Sequence, residues 1–310
     1  MYHVKLAILL LLFGLGCHWS DRIVAQTDTL FLMPVIKLDS VVIEDVASGF
    51  DIDAFIEYVQ TDTTFYRAFK NMRLTKYQCR SNVKMYDKEH LVEASYTSDV
   101  EQVIAKQCRY INFTEEKFSP NFFDKYGEPD YYTAKLFSYI FLYQDTVCES
   151  SSKVEGESSS GSSKIEKRKD QLKTLMFRPG EPVEGIPFIK KELGIFDEKM
   201  IENYDYQLEA VQFQSKPAYL FTITKKADVK DRKVVLQNMQ TWFNRSDFSI
   251  MARNYHLTES NLIYDFDVRM EVIMENVNSM QTPSHIYYNG TWDIPTKKRE
   301  TGTVIIDVFR

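Results

Sequence analysis

The chain has 310 residues, of which 44% are hydrophobic, 26% charged and 14% aromatic, with 38 basic against 44 acidic side chains. That balance belongs to a globular protein and excludes a collagen-like, disordered or many-span membrane chain. A net charge of −6 gives no basic footprint for a nucleic-acid backbone, so no nucleic-acid partner is expected.

Lys5 precedes an apolar run from Leu6 to Leu15. The run is shorter than the roughly 20 residues a membrane-spanning helix needs, and it reads as the core of a signal peptide. Ala25 offers the small residue before a cleavage site, so residues 1–25 are set aside and an exported protein without a membrane span is expected. A rival reading places a lipid on Cys17, at the end of the apolar run, which would anchor the chain to a membrane surface. Residues 26–50 then form an extended leader, rich in β-branched residues from Leu32 to Val46.

Residues 51–310 read as a single domain. Asp51 and Asp53 cap a helical stripe of Ile52, Phe55, Ile56 and Val59, resumed by Phe65, Ala68, Phe69 and Met72. Two short helices, or one bent helix, bury that stripe. From Tyr77 to Met85 apolar and polar residues alternate with the period of a half-buried strand, and a partner strand follows at Leu91 to Ser98. After a loop at Ser119–Pro120, the aromatic stretch Tyr131 to Tyr143 predicts a buried helix.

Between Glu149 and Ser163, 8 of 15 residues are serine, a composition that predicts a flexible insertion. Lys164 to Met176 is a charged helical pattern, prolines break the chain after Arg178, and Ile189 to Asn203 reads as a helix interrupted by Gly194. The last third predicts an antiparallel meander. Its strands centre on Tyr204–Leu208, Tyr219–Ile223, Val235–Phe243, Phe248–Leu257, Leu262–Val272, His285–Trp292 and Val304–Val308, with a turn at Ser215–Pro217. The fold class expected is α+β, a large curved antiparallel sheet or incomplete barrel packed on helices.

Three cysteines follow the leader, Cys79, Cys108 and Cys148, so one is left over in any pairing within the chain. Cys79 with Cys108 is the disulfide favoured, although spacing alone does not fix connectivity. No Cys-x-x-Cys occurs. His90, His256 and His285 lack metal-ligand spacing, and the phosphate loop, dinucleotide fingerprint and nucleophile elbow are missing, so no metal, cofactor or catalytic residue is assigned.

Asp265, Asp267 and Glu271 share one strand face and offer carboxylates for a hydrolase, but a solvated face with Arg269 as countercharge is the commoner meaning. His256 beside Tyr255, and His285 beside Tyr287, are further weak candidates. The sequons at Asn112, Asn244 and Asn289 bear on function only in a eukaryotic secretory pathway. The load of 19 Tyr and 21 Phe fits either a large core or a concave sheet surface that receives an acyl chain. Tyr264, Phe266, Val268, Met270 and Val272 are the candidate lining, and Phe266→Asp is expected to abolish binding while sparing the fold.

The runs Glu202 to Val211, Ala218 to Ile223 and Thr241 to Tyr255, with Leu38 to Ile43 before them, resemble exported Bacteroidetes-type proteins that carry a carboxypeptidase-regulatory-like domain. The text from Trp242 to Tyr255 also resembles the outer-membrane lipoprotein-sorting fold, an incomplete antiparallel barrel around helices that holds acyl chains. These resemblances imply a non-enzymatic protein of the Gram-negative periplasm or outer membrane whose partner is a lipid, a lipoprotein or an envelope protein. An assembly role for the extended leader is the alternative, and an envelope hydrolase the third.

Overall fold

In the computed structural model the residues described are 35–38, 41–44, 50–106, 108–142, 146–148, 175–180, 194–196, 198–261, 265–293 and 298–310. All of them fall in one compact unit, Pro34–Arg310. The signal-peptide region, Cys17, the serine-rich insertion and most of the charged helical pattern after it lie outside the described residues.

Two short helices open the domain. α1 (Ile52–Thr61) is capped as the sequence predicts, with Asp51 Oδ1 accepting the Ala54 N–H at 3.0 Å. It stops where Asp62 turns extended, and Asp62 Oδ1 accepts the Thr64 N–H at 3.0 Å to start α2 (Thr64–Asn71). Phe65, Ala68 and Phe69 make the buried stripe of α2. α3 (Tyr132–Phe141) occupies the aromatic stretch, and α4 (Glu198–Ile201) is all that is helical in the described part of 189–203.

Thirteen strands form one sheet: β1 (Val35–Leu38), β2 (Val41–Glu44), β3 (Tyr77–Tyr86), β4 (Val92–Ala105), β5 (Cys108–Phe118), β6 (Val147–Cys148), β7 (Tyr204–Phe213), β8 (Lys216–Lys225), β9 (Leu236–Asn244), β10 (Ile250–Ser260), β11 (Asp265–Val277), β12 (Met280–Asp293) and β13 (Glu300–Phe309). The spatial order is β1-β2-β7-β8-β9-β10-β11-β12-β13-β3-β4-β5-β6. Every pair is antiparallel except β2 with β7. The C-terminal meander is therefore as predicted, while the helices among the described residues are few and short, so the described part of the chain is mostly β.

Several expectations are corrected. β5 was not anticipated, because its second half is an exposed run of Thr114, Glu115, Glu116 and Lys117 without alternating burial. The β7–β8 turn is Gln214–Ser215, both at positive φ, which is the two-residue geometry that matches strand twist; Lys216 and Pro217 already belong to β8. The leader is strand where it is described, but β2 pairs with β7 of its own sheet. The Cys79–Cys108 disulfide is not formed: Cys79 is a free, buried thiol, Cys108 is disulfide-bonded, and the residue opposite Cys108 in the ladder is Cys148.

Alternation sorts the sheet into two faces. Tyr206, Ile223, Met239, Tyr255, Met270, Tyr288, Val304, Val83 and Tyr96 are cross-strand neighbours in one buried row running from β7 to β4. α2 packs on β12, and α3 on β13 and β3. Phe55 of α1 meets Phe221 and Phe243, Phe65 meets Tyr255, and Phe137 of α3 meets Tyr288, with ring centroids 5.3–6.2 Å apart. Burying each such side chain contributes about 1.5–3 kcal/mol. The opposite face carries the polar alternates.

Candidate functional site

The inner-face tyrosines serve as more than core. Tyr206 Oη donates to the Ile195 carbonyl at 2.6 Å, Tyr77 Oη to the Ile140 carbonyl at 3.4 Å, and Tyr255 Oη to the Met176 carbonyl. Each ring buries its apolar body while its hydroxyl holds the backbone of a covering segment. Burial pushes the hydroxyls of Tyr77 and Tyr206 above their ordinary range, so they remain protonated donors.

Where the coverings meet, a cavity of about 250 Å³ is left between the end of α1, residues 179–180, residues 194–196 and the inner face of β9 and β10. Its apolar wall includes Val59, Ile195, Phe196 and Met239, and its polar wall Asp62 and Arg253. Gly180 makes the corner: its φ is +85°, and a Cβ there would lie 2.6 Å from Ile195 Cδ1. The Ile195 N–H donates to the Gly180 carbonyl at 3.2 Å, tying the two coverings together.

Arg253 is 8% exposed. Its Nε donates to Oγ1 of Thr241, its cross-strand neighbour, at 3.0 Å, and its guanidinium lies 4.5 Å from the Phe65 ring centroid. Asp62 uses Oδ1 on the Thr64 N–H, while Oδ2 is buried without a hydrogen-bond partner. Opposite charges thus face one small space.

Of the lining predicted from sequence, Tyr264 lies outside the described residues. Phe266, Val268, Met270 and Val272 point to the inner face as expected and are fully buried, Phe266 against Trp292 at 4.9 Å and Met270 with its Sδ 2.9 Å from Tyr255 Oη. They are not among the residues that line the cavity. Sequence reasoning missed Arg253 and Asp62. Counting back by twos from Leu257 and Tyr255 puts Arg253 on the inner face, so an arginine in an apolar phase was the available signal. Asp62 carried none, as an aspartate between two helices looks like any turn residue.

The polar candidates all lie outside. His256 Nε2 and Asp267 Oδ1 are 3.0 Å apart, and Arg269 donates to the same oxygen at 3.0 Å. His285 Nδ1 is 2.7 Å from Asp307 Oδ1. Tyr255 and His256 point to opposite faces of β10 and cannot act together. A second hollow of about 350 Å³ on this face is bounded by Arg80, Asn82, Thr97, Asp99, Glu115 and Asp307. There the bidentate hydrogen bond from Arg80, at 2.8 and 2.9 Å, holds the Asp99 carboxyl below its ordinary range. Among the described residues no group of three metal-ligating side chains occurs, and no helix is long and apolar enough to cross a membrane.

No family model and no curated protein matches the chain. Among solved structures it is similar to a LolA superfamily protein from Nitrosomonas europaea, at 10% identity and a TM-score of 0.25, covering 79% of this chain and 90% of that one. A DUF1329 family protein from Desulfovibrio piger shows 12% identity and a TM-score of 0.25 over 83% and 88% of the two chains. A candidate outer membrane lipoprotein-sorting protein domain from Vibrio parahaemolyticus shows 6% identity and a TM-score of 0.27 over the same shares, 83% and 88%. Overlaps this loose carry no residue of those proteins across to this chain.

Proposed function

We propose that this is an exported, non-enzymatic protein of the cell envelope that binds an apolar ligand of the lipid or acyl-chain class between its sheet and the segments covering it. The observation that carries the reading is the cavity in which Val59, Ile195, Phe196 and Met239 form an apolar wall beside the polar Gln60, Asp62 and Arg253, set into an inner face that is elsewhere filled with aromatic side chains. At about 250 Å³ it lies just under the 300–1,000 Å³ usual for ligand pockets. That size suits one aliphatic segment rather than several chains.

The rival readings have less support. The leader strand β2 is engaged within its own sheet through β7, and Asp267 is occupied by Arg269 and His256. The test is titration with a neutral apolar fluorophore, together with organic extraction and mass spectrometry of the protein purified from its own envelope. Saturable binding that Met239→Trp removes by filling the cavity is the expected result. A protein that binds no probe and carries no extractable apolar molecule would overturn the proposal.

A further inference from the structure

The outer face of the sheet carries a recognition surface separate from the inner cavity. We infer that the groove across β13, β3 and β4 binds an uncharged oligosaccharide, with a sugar ring in each of two neighbouring hollows.

The hollows lie end to end along β3 and share Arg80 and Asp99. One, of about 350 Å³, takes in Asn82 and Ile305. The other, of about 180 Å³, takes in Gln78 and Phe309. In the β13–β3 ladder Ile305 stands opposite Asn82, Asp307 opposite Arg80, and Phe309 opposite Gln78. An apolar side chain therefore sits beside a primary amide twice, once on each side of an ionic centre. The two amides are four positions apart on one strand, about 13 Å at 3.3 Å per residue, which is longer than a single sugar ring.

Charge decides the class of ligand. Arg80 is joined to Asp99 by two hydrogen bonds of 2.8 and 2.9 Å, Asp307 Oδ1 lies 2.7 Å from His285 Nδ1, and Glu115 accepts from Lys117 Nζ. The ionised groups of the groove are thus engaged with one another, and a charged ligand would have to displace a partner. The uncommitted chemistry is neutral. The side-chain amides of Asn82 and Gln78 have no hydrogen-bond partner among the described residues, and Ile305 and Phe309 are 37% and 49% exposed on a polar face. An amide offers a donor and an acceptor side by side, which pairs with neighbouring hydroxyls, and the C–H face of a sugar ring covers an apolar side chain. An extended peptide suits the groove less well, because β3 is paired on both sides, by β13 and β4, and offers it no backbone edge.

Calorimetric titration of the full chain with cellotetraose, maltotetraose and chitotetraose, and with glucose and N-acetylglucosamine as the single rings, tests this. One tetrasaccharide is expected to bind, and which one names the sugar; its single ring should bind about tenfold more weakly or worse, because it fills only one hollow. Phe309→Ala and Asn82→Ala should each weaken the tetrasaccharide by about threefold or more. Circular dichroism, and binding of the neutral fluorophore in the inner cavity, should stay as in the native chain. Gln78→Ala, at an exposed position, takes the place of either variant that fails to fold. No binding of any tetrasaccharide, a single ring held as tightly as its tetramer, or an affinity unchanged in either folded variant would overturn the inference, whatever the inner cavity binds.

Discussion

Glu300, at the start of the last strand, caps a helix that lies 167 residues earlier in the chain: its Oε1 accepts the Thr133 N–H at 2.5 Å. Its Oε2 accepts the neighbouring Tyr132 N–H at 2.9 Å, so one carboxylate satisfies two of the unpaired donors at the start of α3. Tyr131, the residue in the capping position, supplies no side-chain bond of its own. Glu300→Gln keeps one acceptor but loses the charge at the positive end of the helix, and is expected to lower stability by about 1–2 kcal/mol; Glu300→Ala should lose more. Urea denaturation of the two variants, showing that order, is the check.

Gly290 and Gly302 face each other on β12 and β13. A Cβ on Gly290 would meet Tyr288 Oη at 2.0 Å, and one on Gly302 would meet Met85 Sδ at 2.7 Å. Tyr288 is a fully buried ring, bonded by the Trp292 indole N–H and packed on Phe137, and has nowhere to go. Met85 ends in a flexible thioether. Gly290→Ala is therefore expected to destabilise by about 1–3 kcal/mol, and Gly302→Ala by less, the tightest contacts there being with the thioether and the remaining one a 3.2 Å approach to the Lys84 carbonyl oxygen. Equal melting temperatures for the two variants would contradict this account.

Two cysteines should behave in opposite ways. Cys79 is buried and burial pushes its thiol up to about 12, so iodoacetamide at neutral pH should leave it unmodified in the native protein and label it after denaturation. Non-reducing peptide mapping should recover Cys108 in a disulfide-linked peptide, with Cys148 as its partner. Cys108→Ser is expected to cost about 2–4 kcal/mol, and Cys79→Ser only what one buried sulfur packs.

Alkaline pH should weaken the fold. Burial raises the hydroxyls of Tyr77, Tyr96, Tyr204, Tyr206 and Tyr288 above their ordinary value of 10, and the Cys79 thiol above 9. The folded chain keeps these protons to a higher pH than the unfolded chain does. Their contribution is thus complete below about pH 9 and is lost as the pH climbs from there, by about 1.4 kcal/mol per pH unit for each group already ionised in the unfolded state. Urea midpoints that stay level from pH 7 to 9 and then drop are the expected outcome.

Phe266→Asp should not be a clean binding variant. Phe266 is buried beside Trp292, and a carboxylate there has no donor to meet, so a loss of several kcal/mol is expected. Circular dichroism would show an unfolded or strongly destabilised protein rather than a folded one without ligand.

The contrast between Phe266 and Arg253 shows what could be read from sequence. Period-two alternation is a local signal, so β7 to β13 and the inward phase of Phe266 were legible, as were the capped start of α1 and the stripe of α2. Which inward residues meet a filled core and which meet a gap depends on the segments folded over them, and Ile195 and Phe196 arrive at Met239 by tertiary packing alone. The strand neighbour of Cys108 was hidden for the same reason: β6 brings the backbone of Cys148 opposite Cys108, and nothing in the spacing announces it. β5 was missed because its outer half, from Thr114 onward, lies beyond the short pairing with β6 and has no need to alternate.

The place of β13 bears on how the chain can assemble. It lies between β12 and β3, and Thr303 touches Tyr86 across 217 positions of sequence. While a nascent chain lacks its final segment, β3 has no strand partner on the side away from β4, and that edge stays open to stray pairing. The slowest event on the way to the native state should be the arrival of that last strand, which must bridge both halves at once. A truncation before Glu300 would leave two half-sheets rather than a slightly smaller protein.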